Sequence, residues 1–74
     1  MIDPYEKLSN AIILQATKDY RLALKRLAKY PRNDSALHTK GEIERFFRSG
    51  YFTSLTSLDP EMLIAKLQEE VVGR

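Results

Sequence analysis

The sequence predicts an all-α protein, a compact bundle of three to four helices built on one long N-terminal helix. Three observations carry that expectation. Apolar residues between Tyr5 and Tyr30 recur at intervals of three, four and seven, the period of a single amphipathic helix. Asp3-Pro4-Tyr5-Glu6 and Asp59-Pro60-Glu61 both hold the residue types that open helices. The one segment whose residues would also suit a strand, 51–55, has no second segment to pair with.

The first helix is expected over residues 3–30. Asp3 is placed to accept from the orphan N-terminal amides, Pro4 suits the first helical position, and Glu6 completes a capping-box-like arrangement. Tyr5, Ile12, Ala16, Tyr20, Ala23, Leu27 and Tyr30 then form the core stripe, widened by Ile13 and Leu24. Pro31 disfavours helical geometry at Tyr30, and Arg32-Asn33-Asp34 is turn chemistry. Such a helix would be about 40 Å long, against a radius of gyration of about 11 Å for a domain of this size. It outruns its own domain.

A second helical region follows over 33–49, with two starts. Asn33 would cap a helix entering at Asp34, whereas Thr39-Lys40-Gly41-Glu42 reads as a capping box opening the run Ile43, Phe46, Phe47. Gly41 favours a break, since it costs about 1 kcal/mol relative to Ala inside a helix. Helix is therefore expected over 42–48, with 34–38 helical and kinked away. Ser49-Gly50 interrupts, and 51–55 reads as a short third helix. In the last helix, 60–72, Asp59 caps, Leu58 staples onto Leu63, Ile64, Leu67 and Val71 face inward, and Gly73 ends the run. Four aromatics, Phe46, Phe47, Tyr51 and Phe52, fall within seven residues and are expected to form the core's hub; apolar aromatics at helical spacing more often pack than stack on bases.

Seventy-four residues make a single domain, 1–74, near the size at which a hydrophobic core alone gives useful stability, so a partner subunit would help. No cysteine is present to supply a disulfide or a thiolate metal site. The longest strictly aliphatic run, 11–14, is four residues, and the N-terminus lacks a basic region followed by an apolar core. A soluble, cytoplasmic protein with no membrane partner is the expectation. The net charge of +2 is too small to argue for nucleic acid by itself, but residues 18–48 hold nine basic and four acidic side chains.

Catalysis finds little support. His38, the single histidine, has Asp34 and Glu42 four residues to either side, which on a continuous helix would place three ligand types along one row. A fourth ligand is missing, and an ordinary polar helix face accounts for the same residues. Serines and threonines stand without a histidine base, and Gly50 and Gly73 make no phosphate loop. No enzyme, cofactor or metal is expected. Lys18, Arg21, Lys25, Lys29 and Arg32 follow steps of three and four, so all five are expected on one side of the first helix, where they would suit nucleic-acid phosphates. The solvated face that any amphipathic helix needs is the competing account, and the acidic last helix and the lack of helix-turn-helix spacing weigh against nucleic acid. Ala11, Leu14 and Leu22 lie among these cations, off the core stripe. Two leucines there suggest a surface for another chain, either a second copy or a heterologous protein, bounded by Lys18, Arg21 and Lys25, with simple burial by the last helix as the competing account.

At Ala11-Ile12-Ile13-Leu14-Gln15-Ala16 with Asp19-Tyr20-Arg21, then Glu42-Ile43-Glu44-Arg45-Phe46-Phe47-Arg48-Ser49, and Phe52 through Leu55-Thr56 to Leu58-Asp59, the chain resembles a family of small uncharacterised helical proteins encoded by prophages and integrative elements of Firmicutes. The resemblance covers residues 11–70. It departs where family members commonly have a tryptophan near Tyr51 and an Asp-Gly pair in place of Asp59-Pro60. The resemblance implies a mobile-element accessory protein that binds a host or phage protein, inhibitors of host defence, CRISPR nucleases among them, being one such class. The slightly basic charge disfavours DNA mimicry.

Overall fold

The computed structural model describes residues 4–72, with side chains from residue 10 to residue 71. Its elements are α1 (Pro4–Lys29), α2 (Asp34–Phe47), α3 (Gly50–Leu55) and α4 (Pro60–Val72). This is the all-α bundle the periodicity predicts, and α1 touches all three other helices. The expected Asp3 cap, the Tyr5 and Glu6 side chains and the Gly73 stop lie outside the described residues.

Each later helix opens on a side chain that satisfies a backbone donor. Asn33 accepts from the Ala36 amide at 3.0 Å, Ser49 from the Phe52 amide at 3.2 Å, and Asp59 from the Glu61 amide at 3.0 Å. Of the two starts open for the second helix, the Asn33 cap is the one used, and α2 runs unbroken through Gly41. The expected break there is corrected. Burial of Ala36 and Phe47 on one side of a 14-residue helix outweighs the roughly 1 kcal/mol that one glycine costs.

The core is a cluster of Tyr20 and Leu24 from α1, Phe47 from α2, Phe52 from α3, and Ile64 and Leu67 from α4, with Ile13, Ala16, Ile43, Phe46, Leu63 and Val71 packed against it. Tyr20, Phe47 and Phe52 are fully buried and meet edge to face, with centroids 5.8 Å apart for Tyr20–Phe47 and 5.4 Å for Phe47–Phe52. The hub is therefore partly corrected. Tyr20 joins it from α1, Phe46 is only half-buried, and Tyr51 is 56% exposed, its ring lying 6.1 Å from that of Phe46. Leu58, expected to staple onto Leu63, is also exposed.

The buried stripe of α1 is Thr17, Tyr20, Ala23 and Leu24, with Ile12, Ile13, Ala16 and Leu27 half-buried beside it. Thr17 is accommodated because its hydroxyl donates to the Leu14 carbonyl at 2.8 Å. Tyr30, expected in the stripe, is 58% exposed: the helix ends at Lys29, so the ring leaves the helical row and takes the Lys29 ammonium 5.7 Å from its centroid.

One polar network passes through this apolar interior. The Tyr20 hydroxyl donates to Glu44 Oε2 at 2.6 Å and accepts from Gln68 Nε2 at 3.1 Å, and Lys40 donates to the same carboxylate oxygen at 2.7 Å. Burial alone would raise the Glu44 pKa, but the Lys40 ammonium and the Tyr20 hydroxyl outweigh it and hold the carboxyl below its ordinary value. Burial, aided by the Glu44 carboxylate, pushes the Tyr20 phenol up to about 12. Three helices are thus registered against one another through α1, α2 and α4.

The molecule measures 43 × 23 × 18 Å with a radius of gyration of 13.2 Å. A compact chain of this length would have about 11 Å. The excess comes from α1, whose 26 residues span about 39 Å, whereas the 14 and 13 residues of α2 and α4 span about 21 and 20 Å.

Candidate partner-docking face on α1

Helical periodicity turns the core stripe of α1 inward and leaves the opposite side uncovered. At 100° per residue, Ala11, Leu14, Lys18, Leu22, Lys25 and Lys29 fall within about 80° of arc. All six are exposed, Leu14 at 59% and Leu22 at 54%. The structure thus brings together five of the six residues expected to bind a partner, and Lys29 with them. Leu14 and Leu22 stand two turns apart, about 12 Å along the axis, with Lys18 midway between them.

Arg21 does not belong to that face. It lies on the edge toward α4 and makes a two-pronged pair with Glu70, Nε to Oε2 at 2.8 Å and Nη2 to Oε1 at 3.3 Å. A second such pair joins Arg48, just past α2, to Glu61 in the first turn of α4, at 2.6 and 3.1 Å. Both pairs are solvent-exposed, so they orient α4 more than they stabilise it. Arg32, the fifth member of the expected basic stripe, is also off the face, because it follows the end of α1 in the turn before α2. The five cations therefore do not share one side. Lys18, Lys25 and Lys29 do, with Arg26 on the flank.

Among the described residues, Lys18, Lys25, Arg26 and Lys29 have no carboxylate partner, whereas Arg21, Lys40 and Arg48 each have one. Arg32, Arg45 and Lys66 have none either, so four of the seven described cations without a carboxylate lie on or beside the arc of exposed leucines. At its α4 edge the face runs into an open groove of about 900 Å³, with Arg21, Lys25 and Ala28 on one wall and Lys66, Glu69 and Glu70 on the other. The α4 wall was missing from the sequence-predicted site, and the acidic balance of the C-terminal stretch was its one visible signal.

The row Asp34–His38–Glu42 lies on the continuous α2 but does not converge. His38 Nε2 lies 3.0 Å from Glu42 Oε1 on an exposed surface, while residues 34 and 42 are separated by about 12 Å of helical rise. Among the described residues no three His, Asp or Glu side chains are grouped to hold a metal, and no helix is long and apolar enough to cross a membrane. No protein-family model, curated protein or solved structure matches the chain.

Proposed function

We propose that the protein is a non-enzymatic binding module that docks another protein on the outward face of α1. The observation that carries this reading is the pair of half-exposed leucines, Leu14 and Leu22, set in one arc with Ala11, Lys18, Lys25 and Lys29 on a helix longer than any element packed against it. A rigid rod with apolar anchors and a charged surround is a common form of helix-mediated recognition. The resemblance to proteins encoded by prophages and integrative elements supports a mobile-element accessory role, with a host or phage protein as target, host-defence components included.

The test is affinity capture from host lysate together with light scattering, on wild type and on Leu14→Glu/Leu22→Glu. Capture of a defined protein that is lost in the variant, with helicity unchanged, supports heterologous docking. A wild-type dimer made monomeric by the variant identifies a second copy as the occupant. Equal mass and equal capture in both proteins would leave the face without a docking role.

Nucleic-acid binding is the second reading, favoured by Lys18, Lys25 and Lys29 in one arc and by the exposed Tyr30 ring beside Lys29. It predicts duplex or single-strand binding that weakens with salt, with a shallower salt slope in Lys18→Ala/Lys25→Ala/Lys29→Ala. No binding at low salt would remove it.

A further inference from the structure

We infer that the occupant of the α1 face is an acidic amphipathic helix of another protein, and not a second copy of this chain. The inference rests on the docking reading above and adds the chemistry of the partner. Where this protein packs against itself, cations find carboxylates: Arg21 with Glu70, Lys40 with Glu44, Arg48 with Glu61. On the leucine-bearing face Lys18, Lys25 and Lys29, with Arg26 on its flank, have no carboxylate among the described residues, as Arg32, Arg45 and Lys66 elsewhere also have none. A carboxylate-bearing partner supplies the missing groups.

Symmetry argues against self-association. A two-fold dimer places the same patch against itself, so two surfaces of the same net positive charge would face one another. Like charges held opposite one another at an interface oppose binding. Asp19, the one acidic side chain in the described part of α1, lies off the face and accepts from Gln15 at 3.0 Å.

The geometry points to a helix. From Ala11 to Lys29 the face is about 27 Å long, with side-chain rows repeating about every 5.4 Å. A partner helix of about 18 residues laid along it matches both the length and the repeat. Its apolar residues would cover Leu14 and Leu22, and carboxylates on its flanks would reach Lys18, Lys25 and Lys29. Nucleic acid fits less well, because phosphates satisfy the lysines but give Leu14 and Leu22 nothing apolar to bury against.

The experiment uses the full chain with two helical peptides of identical leucine placement, one flanked by Glu and one by Lys, alongside a DNA duplex, read by fluorescence anisotropy from low to moderate salt. The Glu peptide is expected to bind at least about tenfold tighter than the Lys peptide, with an affinity that falls as salt rises. Lys18→Glu/Lys25→Glu should reverse the preference. Leu14→Ala/Leu22→Ala should weaken the Glu peptide by about tenfold or more, with circular dichroism unchanged because both leucines lie outside the core. Equal binding of the two peptides, lost in the leucine variant, would overturn the acidic preference and leave the face a docking site. Binding of neither peptide would overturn the acidic helix, and lysate capture by wild type against Leu14→Glu/Leu22→Glu then decides separately whether the face docks anything. Tighter binding of the duplex, insensitive to the leucine variant, would overturn both.

Discussion

Truncating Phe47 to alanine tests the core directly. Its side chain is fully buried, and its ring lies 5.8 Å from Tyr20, 5.8 Å from Phe46 and 5.4 Å from Phe52. Removing a buried phenylalanine costs about 3–5 kcal/mol, near the upper end where several edge-to-face contacts are lost together. A 74-residue domain has a total stability of about 4–11 kcal/mol, so Phe47→Ala removes a large share of it. At about 4–8 °C per kcal/mol, the thermal midpoint should fall by at least about 12 °C. Urea titration at low temperature, followed by circular dichroism, measures the loss, and Phe46→Ala and Tyr51→Ala give the scale. Phe46 is half-buried and Tyr51 exposed, so the order of cost should be Phe47, then Phe46, then Tyr51. If Phe47→Ala does not fold, Phe47→Leu carries the same comparison with a smaller perturbation. A Phe47→Ala midpoint within about 0.5 kcal/mol of wild type, or a Tyr51→Ala cost as large, would refute the hub.

Four further outcomes are expected. Gly41→Ala should stabilise by about 0.5–1 kcal/mol, because Gly41 lies inside α2 and an added Cβ meets no atom within 4 Å; a lower melting temperature would contradict the unbroken helix. Asn33→Ala should cost about 1 kcal/mol through the lost acceptor for the Ala36 amide, with Asn33→Asp close to wild type in a thermal melt. The interior network gives two pH signatures. With the folded pKa of Glu44 lowered, its contribution is complete above the unfolded carboxylate pKa and is lost as pH falls through the folded value, so the stability gap between wild type and Glu44→Gln should narrow below about pH 4. With the folded pKa of Tyr20 raised to about 12, its contribution is complete below about pH 10 and falls away toward 12; a late phase in the alkaline absorbance titration should vanish in Tyr20→Phe.

What the sequence made visible was local chemistry. Asn33 and Asp59 each satisfy an amide two or three residues on, so their role needs nothing from the rest of the fold, whereas Ser49, read only as an interruption, caps α3 in the same way. What it hid depended on distant partners. Gly41 carries a local penalty, and only the packing of α2 on the rest of the bundle shows that the penalty is outweighed. Phe47 and Tyr51 are four residues apart, and one continuous helix would have put them on the same side. Instead Ser49 turns extended, at φ −80° and ψ 157°, which resets the helical phase and sends Tyr51 outward while Phe52 turns in. Arg21 has the same step spacing as Lys18 and Lys25, yet its partner Glu70 is 49 residues away. No local signal separates a cation that ties two helices from one that faces solvent.

The two faces of α1 depend on one another. Ile13, Ala16, Tyr20 and Leu24 fix the middle of the helix against the core, and Leu14, Lys18, Leu22 and Lys25 lie on the same turns with the opposite orientation. The proposed docking face is thus mounted on the part of α1 that packs against the core. Association then costs mainly side-chain freedom, most of it in the lysines, because the leucine rotamers are few. That division assigns separate tasks to the two residue types. In the proposed complex Leu14 and Leu22 would provide apolar area at low entropic cost and slow dissociation, whereas Lys18, Lys25 and Lys29 would act at longer range and set the approach rate and the choice of partner. Substituting the leucines should therefore change dissociation rates, and substituting the lysines should change association rates and their salt dependence. Stopped-flow mixing with the acidic peptide separates the two, and a leucine variant that altered only the association rate would contradict this assignment.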